Sequence, residues 1–319
     1  MHSIALFNNK DGVGKTTLVF HLAHMFSELQ IKTLVVDLDP QANLTNMFLT
    51  EEAFLNLFPE SAPAKTFFGA MRNIISGSCD VQAMEPINIT NFLDLLPGDL
   101  GLSSTEEWFS KAWNNAIDGQ ELGLKQLSAI HRLINQSASS ETQVVLINVG
   151  ANLGALSRAS LLCADSIIIP VAPDLFSLQG LNNLFPKLAE WKHGKAKMLA
   201  QNVTNTGFPE HEMSPIGYVI MQQKSRGNEK IGGYKNWIQR IAVEFASQTN
   251  SKIAENELGA LKNYLSLMQM AELVRKPIFK LKSGDGAFGA HLEAVQFCFK
   301  DFKKLANVIL ARVGIEIST

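Results

Sequence analysis

The sequence predicts a doubly wound α/β fold with a mostly parallel central sheet and a helical insertion. Three observations predict it. Short apolar runs rich in branched residues recur along the chain, amphipathic stretches lie between them, and a glycine-containing segment separates the first run from the first such stretch. Apolar runs that do not alternate with polar residues indicate strands buried on both faces. Strands alternating with helices imply parallel pairing through right-handed crossovers.

The elements follow in order. The first run, "SIALF" at 3–7, leads into "NNKDGVGKTTL" at 8–18. Val19, Leu22, Ala23, Phe26 and Leu29 then mark one face of a helix. "KTLVVD" at 32–37 is the second strand, and "QVVLIN" at 143–148, "DSIIIPV" at 165–171 and "IGYVIM" at 216–221 are the next ones. Residues 50–140 break the rhythm and read as the mostly helical insertion. Residues 222–235 are polar and contain glycine, which predicts a mobile loop. Residues 288–313 read as a closing helix with Leu292, Val295, Phe299, Phe302, Leu305 and Leu310 on or near its apolar face. No linker divides the chain, so residues 1–319 are expected to form a single domain.

Composition narrows the function. The chain has 319 residues, 46% hydrophobic and 18% charged, with a formal net charge of −2. No global basic field exists, so any nucleic-acid binding must come from a local patch. Cys79, Cys163 and Cys298 form no CxxC pair and no metal spacing, which predicts reduced core thiols. His131, His193 and His291 are scattered. Neither a secretory leader nor an apolar run of membrane-spanning length is expected, which predicts a cytoplasmic protein.

The segment at 8–18 reads as a phosphate-binding loop. Gly14, Lys15 and Thr16 match the end of G-x-x-x-x-G-K-[ST], while Asn9 stands at the first glycine. Backbone N–H groups at such a helix N-terminus bind anions, and Lys15 would reach the β and γ phosphates. Thr16 would hold Mg²⁺ through its hydroxyl.

"KDGVGKTT" resembles K-G-G-x-G-K-[ST]-T, the deviant Walker A motif of the ParA/MinD ATPases. "VVDLDPQANLT" at 35–45 resembles that family's DxDPQxNxT segment, and "ADSIIIPVAPDLFSLQGLNNL" at 164–184 resembles the stretch after its Walker B strand. "KPIFKLKSGDGAFGAHLEAVQ" at 276–296 looks like the C-terminal part of ParA-type proteins. The likeness covers most of the sheet-forming parts, is weak across 50–140, and fits the soluble ParA-like branch best.

The resemblance implies an ATP-Mg²⁺ site. Its nucleotide-binding residues would be Lys10, Asp11, Gly12, Val13, Gly14, Lys15, Thr16 and Thr17, with Gln222 as an adenine contact by position. Lys10 would cross to the partner's phosphates in an ATP-sandwiched homodimer. Lys10, Lys15 and Asp39 would act in hydrolysis, Asp39 by positioning the attacking water. Thr16, Asp37 and Asn148 would serve the metal. The family also implies non-specific DNA binding, a ParB-like adaptor, and a role in plasmid or chromosome partition or cargo positioning, with a nucleoid-associated location.

Two residues depart from the pattern. Asp11 replaces a glycine and places a carboxylate near the triphosphate, unless it pairs with a lysine or turns outward. Asn148 replaces the aspartate that ends the Walker B strand and lacks the charge that helps hold the ion. Together they predict an ATP binder with slow or absent turnover. The alternative is a non-hydrolysing nucleotide-binding regulatory or scaffold protein.

Two basic stretches are candidate DNA contacts: Lys187, Lys192, Lys195 and Lys197, and Arg275, Lys276, Lys280 and Lys282. Lys224, Arg226 and Lys230 lie in the polar loop. The end of the chain, "ARVGIEIST", lacks the basic amphipathic helix that a membrane role would need.

Overall fold

The computed structural model describes residues 1–77, 80–201, 207–223 and 231–317, without the side chains of residues 222, 223, 231, 232 and 265. Cys79, Lys224, Arg226 and Lys230, named above, lie outside the described residues.

Among the described residues eight strands form one sheet: β1 (His2–Leu6), β2 (Thr33–Leu38), β3 (Ile87–Thr90), β4 (Leu93–Leu96), β5 (Val144–Val149), β6 (Ser166–Val171), β7 (Ser214–Gln223) and β8 (Glu257–Lys262). Their spatial order is β3-β4-β2-β5-β1-β6-β7-β8. All neighbours pair in parallel except β3 with β4. The central strands β2, β5 and β6 are buried at every position, as continuous apolar runs require.

Among the described residues twelve α-helices cover the sheet: α1 (Lys15–Glu28), α2 (Asn43–Phe48), α3 (Glu51–Leu55), α4 (Phe67–Ile75), α5 (Glu106–Ile117), α6 (Glu121–Leu127), α7 (Ala129–Ser137), α8 (Ala155–Leu162), α9 (Leu175–Leu199), α10 (Ile231–Thr249), α11 (Leu265–Val274) and α12 (Ala290–Arg312). Successive strand residues face opposite layers. Ile4, Leu6, Val35 and Leu146 pack with α1, α11 and α12, whereas Ala5, Phe7, Val36 and Ile147 pack with the helices from α4 to α10. The layer on α1 includes Val295, Phe302, Leu305 and Leu310 of α12, with Leu292 and Phe299 partly buried beside them.

Three expectations need adjusting. The segment 50–140 holds helices α3–α7 but also β3 and β4, each only four residues long. β4 pairs in parallel with β2, so this stretch extends the sheet as well as covering it. The polar loop expected over 222–235 does not fill that range, because β7 runs to Gln223 and α10 starts at Ile231, with residues 224–230 outside the described residues. Cys163, whose apolar surroundings in the sequence predict a place within a helix, lies instead at the end of α8 as its C-terminal cap. It is buried, and burial pushes its thiol up to about 12.

Because β1, β2, β4, β5, β6 and β7 run parallel, their C-terminal ends share one edge. The loops leaving that edge carry residues 7–14, 39–42 and 150–154, all candidates for chemistry. Crevices outside the carboxyl ends of parallel strands are where this architecture binds ligands.

Candidate functional site

The loop between β1 and α1 needs its glycines. Gly12 and Gly14 have φ of 68° and 93°, left-handed values that disfavour a side chain. A Cβ on Gly14 would also lie 3.0 Å from the Met221 methyl. α1 begins at Lys15 with no side-chain cap and no acid in its first turn. Its first N–H groups therefore stay open to an anion. Asp11, Gly12, Val13, Gly14, Lys15, Thr16 and Thr17 all line one cleft of about 470 Å³.

Lys15 is 7% exposed, and the only hydrogen bond of its ammonium among the described residues is a long one, 3.5 Å, to the Lys10 carbonyl. Burial lowers its pKa, while Asp11 and Asp39 oppose that by their charge. No carboxylate lies within ion-pair distance of it among the described residues. A desolvated ammonium without a close partner, at an uncapped helix start, calls for an anion.

At the acidic end, Asp37 and Asn148 face each other across the β2–β5 pairing. Asn148 Nδ2 donates to Asp37 Oδ1 at 2.9 Å. The Thr45 hydroxyl and backbone N–H donate to Asp37 Oδ2 at 2.7 and 2.9 Å, and the Asp39 N–H reaches Oδ1 at 3.3 Å. Burial pushes the Asp37 carboxyl up to about 6, against the lowering effect of Asn148 and Thr45. Asp39 lines the cleft and is held by the Gln41 N–H at 3.0 Å.

The residues present fit a hydrated Mg²⁺. Asn148 Oδ1 is buried without a partner among the described residues and can accept a hydrogen bond from an ion-bound water. Asp37 already accepts four hydrogen bonds, so it suits an outer position around the ion.

The other end of the cleft is apolar. Met221, Leu261, Tyr264, Met268, Ile278 and Phe302 line it, from β7, β8 and the C-terminal helices. The Tyr264 hydroxyl donates to Asp301 at 2.7 Å. His21 joins the two ends. Its Nε2 accepts from the Ile278 N–H at 3.1 Å, so Nδ1 carries the proton donated to the Thr17 carbonyl at 2.8 Å. Burial lowers its pKa to about 4, so the ring is neutral as it stacks on Phe302 with centroids 5.0 Å apart. Apart from the strand ending at Met221, sequence reading missed this wall, since its residues are ordinary core types far apart in the chain. The side chain of Gln222, the expected adenine contact, lies outside the described residues.

Lys10 and Asp11 part company. Lys10 Nζ is 2.5 Å from Asp174 Oδ2, so it does not pair with Asp11. Asp11 is exposed at the cleft and makes no ion pair among the described residues. Its carboxylate stays at the mouth of the cleft, where its charge acts on Lys15.

The basic stretches are largely compensated. Lys187 pairs with Glu190, Lys192 with Glu212, Lys276 with Asp285 and Lys280 with Glu28. Lys195 is buried, donating to the carbonyls of Leu162 and His211. Among the described residues no helix is long and apolar enough to cross a membrane. No group of three or more His, Cys, Asp or Glu could hold a metal among them.

Comparison with known proteins accords with this geometry. Residues 1–201 match the AAA domain family. The chain is 31% identical over 308 residues to an uncharacterized protein from Methanocaldococcus jannaschii, covering 94% of this chain and 99% of that one. It is 27% identical to a replication-protein-A relative from Rhizobium rhizogenes, covering 80% of this chain and 62% of that one. It is 25% identical to the chromosome partitioning protein ParA of Myxococcus xanthus, covering 57% and 56%. The chain thus spans less than two thirds of the last two relatives' length. An ATP complex of a McdA variant from Cyanothece shares the fold with a TM-score of 0.66 at 17% identity, over 100% of this chain and 98% of that one. The chain belongs to the ParA/MinD-type family of P-loop ATPases.

Proposed function

We propose that this protein binds ATP with Mg²⁺ in the cleft and uses it to control a homodimer that positions or partitions DNA or another cargo. One observation carries the reading: buried Lys15, without a carboxylate partner, at the uncapped start of α1 in a cleft that is polar at one end and apolar at the other. The polar end suits a triphosphate and the apolar end a base. The ATP in the McdA relative's structure supports it.

Each residue then has a task. The N–H groups of Gly14 to Thr17 and the Lys15 ammonium hold the phosphates. The Thr16 hydroxyl, with Asn148 and Asp37 nearby, would hold Mg²⁺, which when bound would neutralise charge on the phosphate oxygens. Asp39 orients the attacking water. Lys10 reaches the partner's nucleotide. Non-specific DNA binding and a ParB-like activator are proposed from the partition relative's name. The ion pairs within the two basic stretches mean that DNA contacts draw on other cations as well, with Lys197, Arg275 and Lys282 left over from those stretches.

Turnover is expected to be slow. Asp11 adds negative charge at the mouth of the cleft, and Asn148 gives the metal a dipole where a carboxylate would give a charge. A second reading, a non-hydrolysing scaffold, draws on the same Asn148, which is already committed to Asp37. Light scattering behind a sizing column, with phosphate release on the same samples, separates the two. An ATP-only dimer that releases phosphate supports the partition cycle. A dimer that never releases phosphate supports the scaffold. A state indifferent to nucleotide rejects the ATP-controlled dimer.

A further inference from the structure

The loop that carries Lys10 is fastened to its own subunit at several points. Asn8 Nδ2 donates to the Pro170 carbonyl at the end of β6, 2.6 Å away, and the Lys10 N–H donates to Asn8 Oδ1 at 2.9 Å. α9 comes close at Gly180, where a Cβ would lie 2.9 Å from Asn9 Oδ1 and 3.3 Å from Asn8 Oδ1. The Lys10 ammonium then meets Asp174 Oδ2 at 2.5 Å. Asp174 has a second duty. Its Oδ1 accepts the Ser177 N–H at 2.8 Å and so caps the start of α9. Burial pushes its carboxyl up, but the hydrogen bonds from Lys10 and Ser177 outweigh this and hold it below the usual carboxylate range. The carboxylate is thus charged and fixed in direction before any partner arrives.

We propose that Asp174 is a positioning residue that holds Lys10 on its own subunit until the nucleotide-bearing face of a second copy competes for it. This rests on the reading that Lys10 serves the partner's nucleotide. A lysine that must bridge two subunits is useful only if the free protomer does not leave it loose or trap it. A lone carboxylate meets that need. It orders the side chain along the α9 start, yet a triphosphate carries more charge and can displace it. Lys10 and Asp174 side chains are 23% and 40% exposed, so the pair is partly screened. The hold is therefore a threshold of a few-fold and not a block.

Asp174→Asn isolates the effect, because asparagine also caps helices well and has nearly the same shape while lacking the charge. Two readouts apply. The first is acetylation of Lys10 by an amine-reactive ester in the nucleotide-free protein, followed by mass spectrometry. The expected result is a rate about two- to fivefold higher in Asp174→Asn. The second is the dimer dissociation constant in Mg²⁺-ATP by analytical ultracentrifugation. It should fall by about the same factor, and Lys10→Ala should erase the difference between the two backgrounds. A purely structural cap predicts that Asp174→Asn matches the wild type in both readouts, and that result overturns the proposal. Faster acetylation with an unchanged dimer constant, while Lys10→Ala still weakens the dimer, overturns it too but leaves the bridging lysine intact. Absence of an ATP-dependent dimer in both proteins removes the bridging lysine itself, and the proposal with it.

Discussion

Acid should destabilise this protein through two histidines on α1, by an amount that follows from where they sit. His21 and His24 are 1% and 7% exposed. Burial lowers His21 from 6.5 to about 4. Burial, with the charges of Lys280 and His21, lowers His24 from 6.5 to about 3. In the unfolded chain both titrate near 6.5, so below that pH the unfolded state binds more protons. Stability is complete above 6.5 and falls as pH drops towards the folded values. With these values His21 alone costs about 2 kcal/mol at pH 5, and His24 about as much again. Asp37 works the other way: its carboxyl is raised to about 6, so lowering the pH relieves the folded state by about 1.4 kcal/mol at pH 5. The balance is a loss of about 2–3 kcal/mol, a sizeable part of a stability of about 5–15 kcal/mol. Urea unfolding at pH 7.5 and pH 5 measures it, on the wild type and on His24→Leu. The Nδ1 of His24 has no partner among the described residues and its ring packs on Phe20 and Phe48, so leucine suits the site. The variant should lose about 2 kcal/mol less than the wild type on acidification. Equal losses in the two proteins would refute the reasoning, whatever other histidines contribute.

Further expectations concern the cleft. Lys15→Ala should abolish the rise in melting temperature that Mg²⁺-ATP gives the wild type, since it removes a buried cation that lines the cleft. Thr45→Val should lower stability by about 3 kcal/mol in chemical unfolding, because it strips a hydrogen bond from buried Asp37 and leaves the Gly98 N–H, 2.9 Å from the Thr45 hydroxyl, without a partner. Asp11→Gly combined with Asn148→Asp should raise phosphate release in Mg²⁺-ATP. Asn148→Asp alone should melt lower without Mg²⁺, because it replaces a donor to Asp37 with a second buried carboxylate. An unchanged rate in the double variant would count against slow turnover having its origin in these two residues.

The sequence by itself determined the parallel sheet core, the phosphate loop and the family. Those features are local: a branched apolar run of five or six residues buries both faces wherever it lies, and Gly14-Lys15-Thr16 needs only a strand before it and a helix after it. Residues 87–90 and 93–96 escaped notice because four residues are too few to show a period, and only Asn91 and Phe92 separate them. β8 is an edge strand broken by Gly259 and ending in Lys262, so its run is weak.

Tertiary structure alone decided the rest. Asp37 and Asn148 are 111 residues apart, and only the β2–β5 register makes the amide a donor to the carboxylate. The apolar wall of the cleft gathers side chains from β7, β8 and two C-terminal helices, each indistinguishable from core in the sequence. Lys187 has its partner Glu190 three residues on in the same helix, but Glu28 and Glu212 reach Lys280 and Lys192 only through the fold. Lys10 was legible as an unusual lysine, but its partner sits 164 residues away at the start of α9. A motif records which groups are present, whereas ion pairing and burial depend on distances that only chain closure sets.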